Sequence, residues 1–372
     1  MRVLAVDVGT GTQDILLFDS EQTVENSLKM IMPSPTVIVA SEIQEATARG
    51  EDVLLEGVTM GGGPCAWAAD EHLRRGYHVY ATPAAARTFN DDLEEVARTG
   101  VRIVAEGEAA HLDGVRRIRL RDFDFGAITR ALDQFKVAPR LDAVAVAVFD
   151  HGAAPPGVSD RLFRFDYLAE VARSGDLTAF AHPRFDIPAR LTRMQAVADS
   201  FDHDLPLLVM DTGPAAVIGA LEDERVRGAD SALVVNIGNF HTLAFHMVAG
   251  RVAGLFEHHT GMLSREKLED YLRRLGEGTL RNEDVFADSG HGAMLVPGPR
   301  PAPELVAVTG PRRGLLYGSA LRPYFAAPHG DMMVAGCFGL LRATAATMPA
   351  FAAAVEARLA GEPWCLPVRN SP

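Results

Sequence analysis

The stretch MRVLAVDVGTGTQDILLFDSE, residues 1–21, decides the fold. An apolar run at 3–6 ends in Asp7, a polar loop with two glycines and two threonines follows, and a second apolar run at 15–18 ends in Asp19. Two short apolar runs around a glycine-containing turn predict a β-hairpin. The loop holds more hydroxyl groups than a turn requires, so we ask what it binds.

The composition of the chain excludes some classes of binding partner. The chain has 372 residues, of which 48% are hydrophobic, and this length suggests two globular lobes. Its net charge of −13 and its lack of long basic runs argue against a nucleic-acid partner. The apolar runs are strand-sized and shorter than the roughly 20 residues that span a bilayer. We therefore expect neither a nucleic acid nor a membrane as partner.

The cysteines indicate the compartment. Cys65, Cys337 and Cys365 are the three in the sequence, and they are widely separated. This spacing excludes a disulfide framework and a cysteine-based metal or iron–sulfur motif. No signal-peptide pattern precedes the first predicted strand. A reducing cytoplasm is the expected location.

Strand-like and helix-like segments alternate, which predicts an α/β fold. The run LDAVAVAVFD at 141–150 predicts a buried parallel strand, and 36–40 predicts a third strand that leads into a helix at 42–49. Apolar residues at helical spacing follow Ser264 and predict an amphipathic helix that Gly276 ends.

The second half of the chain repeats the opening hairpin. An apolar strand at 232–235 ends in Asn236, a small-residue loop follows at 237–242, and an apolar return strand covers 243–248. A duplicated hairpin suggests two lobes of similar fold.

Glycine-rich loops of this kind suit phosphate and magnesium. Glycine lets backbone N–H groups approach phosphate oxygens, threonine adds hydroxyl donors, and a carboxylate at a strand end, here Asp7, holds a hydrated cation. A tight turn without chemistry is the alternative for any single loop. Three such loops in a fixed order favour a ligand site.

The order of the motifs resembles the actin-like ATPase superfamily, which includes sugar kinases, actin and heat-shock chaperones. The motifs, in chain order, are AVDVGTGTQDILLFD (5–19), VMDTGPAAVIGALED (209–223), ALVVNIGNFHTLAF (232–245), VAVTGPRRG (306–314) and MVAGCFGLLRA (333–343). In that superfamily they are a first phosphate loop, a connecting helix, a second phosphate loop, an adenosine loop and a second connecting helix.

Other details, such as FEHHTG at 256–261, resemble a prokaryotic family often labelled pyruvate formate-lyase activating enzyme. Radical activating enzymes of that name need a three-cysteine cluster motif, which this chain lacks.

The resemblance implies a two-lobed, ribonuclease H-like α/β fold with duplicated mixed sheets flanked by helices. It implies an N-terminal lobe at 1–200 with a family-specific elaboration at about 60–200, a C-terminal lobe at 201–340, and a C-terminal helix at 341–372 that returns to the first lobe. ATP and Mg²⁺ are the implied cofactors, with Asp7 as the metal residue. The implied nucleotide-binding residues are Gly9, Thr10, Gly11, Thr12, Gln13, Gly238, Asn239, His241, Thr242, Thr309, Gly310 and Arg312.

The sequence departs from the chaperone-type pattern at one position, because Asn236 stands where those members have an aspartate. Sugar kinases place the base just before the connecting helix, and Asp211 matches that position. Asp211 is therefore the predicted general base. A carboxylate that caps the following helix is the alternative.

Several histidines are candidates for contacts with the substrate or with a metal ion. In related sugar kinases the region after the second hairpin contacts substrate, which makes Glu257, His258 and His259 substrate candidates. His151, His241, His291 and His329 also lie in loops. Neutral imidazoles are good ligands for transition metals, but ordinary hydrogen-bonded loop histidines are the alternative because no HxxxH or HExxH spacing occurs.

The resulting prediction is an ATP-dependent phosphotransferase that acts on a small hydroxylated substrate, with Asp211 as base. Two alternatives remain: a nucleotide-driven switch or activator ATPase that acts on a protein partner, and a nucleotide-binding protein without turnover.

Overall fold

The computed structural model describes residues 1–137 and 140–360. Within these residues the chain forms sixteen strands in three sheets. In chain order they are β1 (Arg2–Val8), β2 (Thr12–Asp19), β3 (Leu28–Pro33), β4 (Asp52–Gly57), β5 (Val79–Ala81), β6 (Arg102–Ile103), β7 (Val115–Leu120), β8 (Ala143–Val148), β9 (Ala181–Pro183), β10 (Leu207–Asp211), β11 (Ser231–Ile237), β12 (His241–Val248), β13 (Arg251–His259), β14 (Gly292–Leu295), β15 (Leu305–Thr309) and β16 (Tyr324–Phe325).

Fourteen α-helices lie in the same described residues, and none of them is both long and apolar enough to cross a bilayer. They are α1 (Pro35–Arg49), α2 (Pro64–Arg74), α3 (Pro83–Ala86), α4 (Leu93–Arg98), α5 (Glu106–Ala109), α6 (Phe125–Gln134), α7 (Asp160–Ala172), α8 (Thr192–Ser200), α9 (Thr212–Ala220), α10 (Glu224–Arg227), α11 (Arg265–Glu277), α12 (Asn282–Ala287), α13 (Ala335–Thr347) and α14 (Pro349–Leu359).

The first sheet has the strand order β3-β2-β1-β8-β10-β9. Strands β1, β2 and β3 pair antiparallel, whereas β8 and β10 run parallel to β1. The predicted parallel strand at 141–150 is confirmed as β8, and all of its residues are buried. Its unbroken alternation of alanine and valine suits a strand that is covered on both faces.

The second sheet repeats this arrangement in the order β14-β13-β12-β11-β15-β16. Strands β11, β12 and β13 pair antiparallel, and β15 runs parallel to β11. The hairpin β11–β12 therefore occupies in this sheet the place that β1–β2 occupies in the first. Two copies of one strand order confirm the predicted two-lobed, actin-like (ribonuclease H-like) fold.

The buried helices α9 and α13 cross between the lobes at glycines. A Cβ atom on Gly219 would lie 1.7 Å from the carbonyl oxygen of Ala335, and one on Gly339 would lie 1.9 Å from that of Ala215. No side chain fits at either distance, so the close crossing depends on these two glycines.

The predicted lobe boundary at residue 200 needs correction. Strand β10, at 207–211, pairs in parallel with β8 and so belongs to the first sheet. The chain leaves that sheet through α9 and reaches the second sheet at β11. The sequence of a strand that is buried on both faces does not indicate which sheet the strand joins.

A third sheet, with the order β6-β5-β4-β7, is inserted between β3 and β8. All its strands are parallel, and with helices α1 to α5 it forms a module with its own core, where Val53, Leu55, Val79 and Ile118 are buried. The predicted elaboration at about 60–200 therefore begins earlier, at α1.

Residues 36–40 form part of helix α1, so the strand predicted there is wrong. The β-branched run favours a strand locally, but Pro35 occupies the first turn of the helix, and Val39 and Ile43 are buried in the module core. The third strand of the first sheet is β3, which lies directly before this helix.

The C-terminal helix is divided in two. Helix α13 ends at Thr347 and α14 begins at Pro349. Proline breaks the helix here because it is tolerated in the first turn of a helix but not in its interior. Arg358 of α14 donates a hydrogen bond to the carbonyl oxygen of Ser20 at 2.8 Å, so α14 contacts the first lobe. The rest of the predicted segment, residues 361–372 with Cys365, lies outside the described residues.

Candidate functional site

A cavity with about 520 Å³ of internal space lies between the two lobes. It is lined by the turn after β1, the turn between β11 and β12, and the turn after β15, together with the first residues of α9 and α13. The sequence-predicted residues that line it are Asp7, Gly9, Thr10, Thr12, Gly238, Asn239, His241, Glu257, His259, Thr309 and Gly310. Those that do not line it are Gly11, Gln13, Asp211, Thr242, His258 and Arg312.

The first loop is a closed turn that faces the second loop. The backbone N–H of Gly9 donates to the carbonyl oxygen of Thr12 at 2.9 Å. A Cβ on Gly11 would lie 2.6 Å from Nδ2 of Asn239, so glycine is needed where the two loops touch. Gln13 turns away from the cavity, because its Nε2 donates to the carbonyl oxygen of Pro33.

Two carboxylates, Asp7 and Asp14, stand side by side at the base of this loop. They are direct partners in the β1–β2 register, and both line the cavity. Burial raises the pKa of Asp7 to about 6, although a hydrogen bond from the Thr212 hydroxyl, at 2.5 Å, opposes the shift. Burial and the neighbouring Asp7 raise the pKa of Asp14 to about 8. Asp14 was missed by the sequence analysis, although its place opposite Asp7 follows from the hairpin symmetry.

The second loop repeats the closure of the first, since the N–H of Gly238 donates to the carbonyl oxygen of His241 at 2.9 Å. Thr242 lies beneath the loop, where its hydroxyl pairs with that of Thr260 at 2.9 Å. It supports the loop from below rather than facing the cavity.

The third turn packs directly on the second. Gly310 has a φ of +100°, and a Cβ there would lie 2.4 Å from the carbonyl oxygen of Ile237. The backbone N–H of Arg312 donates to the same oxygen at 3.0 Å, while its exposed side chain does not line the cavity. The side chain of Arg312 therefore lies outside the cavity, and its role as a nucleotide-binding residue stays a prediction.

Asp211 is sequestered beneath the cavity. Its carboxylate is fully buried and accepts hydrogen bonds from Arg164 Nη1 at 2.7 Å and Arg164 Nη2 at 3.2 Å. It also accepts one from the N–H of Gly213 at the start of α9, at 3.1 Å. The carboxylate does not line the cavity and is held in a buried ion pair with Arg164, so the geometry contradicts the prediction of Asp211 as general base. The alternative, a carboxylate that caps α9, is confirmed.

Arg164 belongs to no motif and was not selected from the sequence. It is fully buried on α7 in the first lobe, and it donates to Glu257 of β13 in the second lobe through Nε at 2.8 Å and Nη2 at 2.7 Å. Its guanidinium lies 3.6 Å from the centre of the Phe149 ring. A single arginine thus connects carboxylates of both lobes under the cavity.

Strand alternation separates the three predicted substrate residues. Glu257 and His259 line the cavity, whereas His258 points to the opposite face of β13 and contacts Asp288 Oδ2 through Nε2 at 3.1 Å. Successive side chains of a strand face opposite sides, so all three cannot face one ligand. His258 therefore does not line the cavity in this structure.

Four histidines gather at the end of the cavity near Glu257. The ring of His241 stacks on Phe149 with centroids 4.0 Å apart, and it lies 5.0 Å from the ring of His291. His259 lies 4.7 Å from His291, and His151 lies 6.0 Å from His241. His329, the other loop histidine, instead contacts Phe338 on α13.

The duplicated strand order and the cavity between its two copies define an actin-like, two-lobed protein. A family model described as "Putative pyruvate format-lyase activating enzyme (DUF1786)" matches residues 60–315, which is more than half of the chain. The chain belongs to that family. No curated protein matches the sequence.

Several solved structures are similar to this chain at low identity. A ROK hexokinase from Thermus thermophilus has 12% identity and a TM-score of 0.29, over 91% of this chain and 97% of that one. The ethanolamine utilization protein EutJ from Carboxydothermus hydrogenoformans has 12% identity and a TM-score of 0.31, over 91% and 89%. The activator of 2-hydroxyisocaproyl-CoA dehydratase from Clostridium difficile, with bound ADPNP, has 8% identity and a TM-score of 0.27, over 98% and 100%. The fold assignment rests on the strand order and not on these scores.

Proposed function

We propose that the cleft binds ATP with Mg²⁺ and that the protein transfers the terminal phosphoryl group to a small hydroxylated acceptor. One observation carries this proposal: the equivalent hairpin turns of both lobes, and the turn after β15, line a single cavity. Glycine-rich turns and helix N-termini present backbone N–H groups, which bind phosphate.

The loops divide the cavity by chemistry. The turns at 9–12 and 238–241 face each other and would hold the phosphates between them. The turn at 309–311, Met332 and Met333 also line the cavity, and apolar residues such as these methionines suit the adenosine part. This assignment agrees with the order of motifs in the sequence.

Asp7 and Asp14 fit a hard cation such as Mg²⁺. Both provide oxygen donors, which Mg²⁺ prefers, and Asp14 Oδ1 is buried without a hydrogen-bond partner. A cation would allow both carboxylates to stay ionised despite their burial. Mg²⁺ there would neutralise charge on the phosphoryl oxygens during transfer.

The acceptor would occupy the end of the cavity that contains Glu257, His259 and Asp150. Asp150 follows β8 and lines the cavity, and burial raises its pKa to about 6. A carboxylate with that pKa suits proton acceptance near neutral pH. Its oxygens accept hydrogen bonds from the backbone N–H groups of Gly152 and Met194, both at 2.8 Å, and among the described residues no arginine forms an ion pair with it. Because Asp150 lines the cavity and Asp211 does not, we assign the role of base to Asp150.

A nucleotide-driven switch is the second candidate, and Arg164 favours it. Its ion pairs with Asp211 and Glu257 connect the lobes under the cavity, with all three side chains buried. Nucleotide binding above this connection could change lobe closure without any acceptor.

Product analysis separates the two candidates. We would incubate the protein with Mg·ATP, with and without a panel of sugars and polyols, and measure ADP. The phosphotransferase predicts that ADP forms only with an acceptor, and that Asp150→Asn lowers kcat about 100-fold while Mg·ATP binding is retained. Acceptor-independent hydrolysis would favour the switch. Absence of ADP under every condition would contradict both.

A further inference from the structure

We propose that His151, His241 and His291 bind one divalent transition-metal ion, at a site separate from the Asp7–Asp14 pair. Each histidine offers a ring nitrogen, and the three nitrogens lie within 4.8 Å of one another. The site would join the lobes, because His151 follows β8 of the first sheet, whereas His241 begins β12 and His291 precedes β14 of the second.

Unpartnered nitrogens provide independent support. His241 Nε2 and His291 Nε2 are buried and have no hydrogen-bond partner. His291 is completely buried. A buried polar atom without a partner is costly, and a bond to a metal would remove that cost.

The surroundings hold the rings in place. His241 is stacked on Phe149 with only 11° between the ring planes. His291 Nδ1 lies 3.2 Å from Glu257 Oε2 but forms no hydrogen bond with it, so neither ring nitrogen of His291 has a partner among the described residues.

Protonation also suits metal binding. Arg164 acts electrostatically on these histidines, and its buried ion pairs with Asp211 and Glu257 offset its positive charge. Burial keeps the pKa of both His241 and His291 well below the usual value, so these rings are neutral, as metal ligands must be.

Three histidines define the class of ion and of ligand. Imidazole suits Zn²⁺, Co²⁺ and related ions better than Mg²⁺. Bonds of 2.0–2.1 Å in a tetrahedron bring the nitrogens to about 3.4 Å apart, so metal binding would draw the three rings together from their present separations of up to 4.8 Å. The fourth position would face the cavity, where it would take water or an anionic oxygen of the bound ligand.

Co²⁺ titration of the full chain, freed of metal with a chelator and without nucleotide, tests the site. We expect one equivalent to bind, with the visible absorption of a tetrahedral Co²⁺ centre, and we expect His151→Ala to weaken binding about 100-fold. His151 is exposed, so the fold should tolerate this change. His291→Asn is the second variant and should have the same effect.

Two controls separate this site from others. His111→Ala removes an exposed histidine of the inserted module, and Asp7→Asn alters the carboxylate pair; both should bind Co²⁺ like the wild type. No binding by the wild type would overturn the proposal, as would unchanged binding in folded His151→Ala or loss of binding only in Asp7→Asn. Because no nucleotide is present, the result is independent of the proposed phosphotransfer.

Discussion

At the scale of single residues, the paired carboxylates Asp7 and Asp14 have the clearest physical consequence. Both pKa values are raised by burial, to about 6 and about 8. The folded protein therefore holds protons that the unfolded chain, with ordinary aspartate pKa values near 3.9, has already lost. Stability from these groups is complete below the ordinary pKa and is lost as the pH rises through the raised values.

We therefore predict that, without divalent cations, the wild type unfolds at a lower temperature at pH 8 than at pH 5. This decrease in melting temperature should be larger than the decrease in Asp14→Asn. The variant cannot ionise at this position, so its melting temperature should fall less, by a few degrees. Thermal unfolding at both pH values, with and without Mg²⁺, measures the difference. Parallel pH profiles for the two proteins would contradict the prediction.

Sequence reasoning found residues that act through local pattern and missed those that act through distant partners. Asp7 was predicted because it ends a strand before a glycine loop. Arg164 could not be predicted, because its partners Asp211 and Glu257 are 47 and 93 positions away and meet it only after both lobes fold. The position of His258 away from the cavity was not predicted, because the alternation of side chains along β13 was not applied to it.

At the scale of elements, the crossing of α9 and α13 fixes how the lobes meet. The helices approach until only glycine fits at Gly219 and Gly339. Extra atoms in a packed core cost about 1–3 kcal/mol, and more where they meet backbone.

We predict that Gly219→Ala lowers the free energy of unfolding by at least about 2 kcal/mol, since its Cβ would meet the Ala335 carbonyl. Gly107→Ala, in the short helix α5, is the matched control, because a Cβ there meets nothing within 4 Å. The control should be neutral or slightly stabilising, because alanine has the higher helix propensity. Urea unfolding of both variants tests this, and equal stabilities would contradict the account.

Elements with strong periodicity or uniform burial were predictable, and those with conflicting signals were not. The amphipathic helix after Ser264 is present as α11, and Gly278 rather than Gly276 ends it, because the left-handed position comes two residues later. Residues 36–40 carry conflicting signals, because their β-branched side chains favour a strand whereas the preceding proline favours the start of a helix. They form a helix because its buried face packs in the inserted module.

At the scale of the whole molecule, duplication explains why one short stretch predicts the architecture. The β1–β2 hairpin and its equivalent, β11–β12, put their turns on opposite walls of one cleft. The lobe boundary and the inserted parallel sheet had no such signal, because they depend on which strands pair. The central claim is that the cleft between these lobes is a nucleotide site.

Calorimetric titration of Mg·ATP tests that claim most directly. We predict micromolar binding to the wild type and binding weakened at least about 10-fold in Asp7→Asn, which removes a charged partner of the cation. Asp19→Asn is the control, because Asp19 ends the same hairpin away from the cavity and pairs with Arg2; it should bind like the wild type. Absence of binding to the wild type, or equal affinities in all three proteins, would contradict the account.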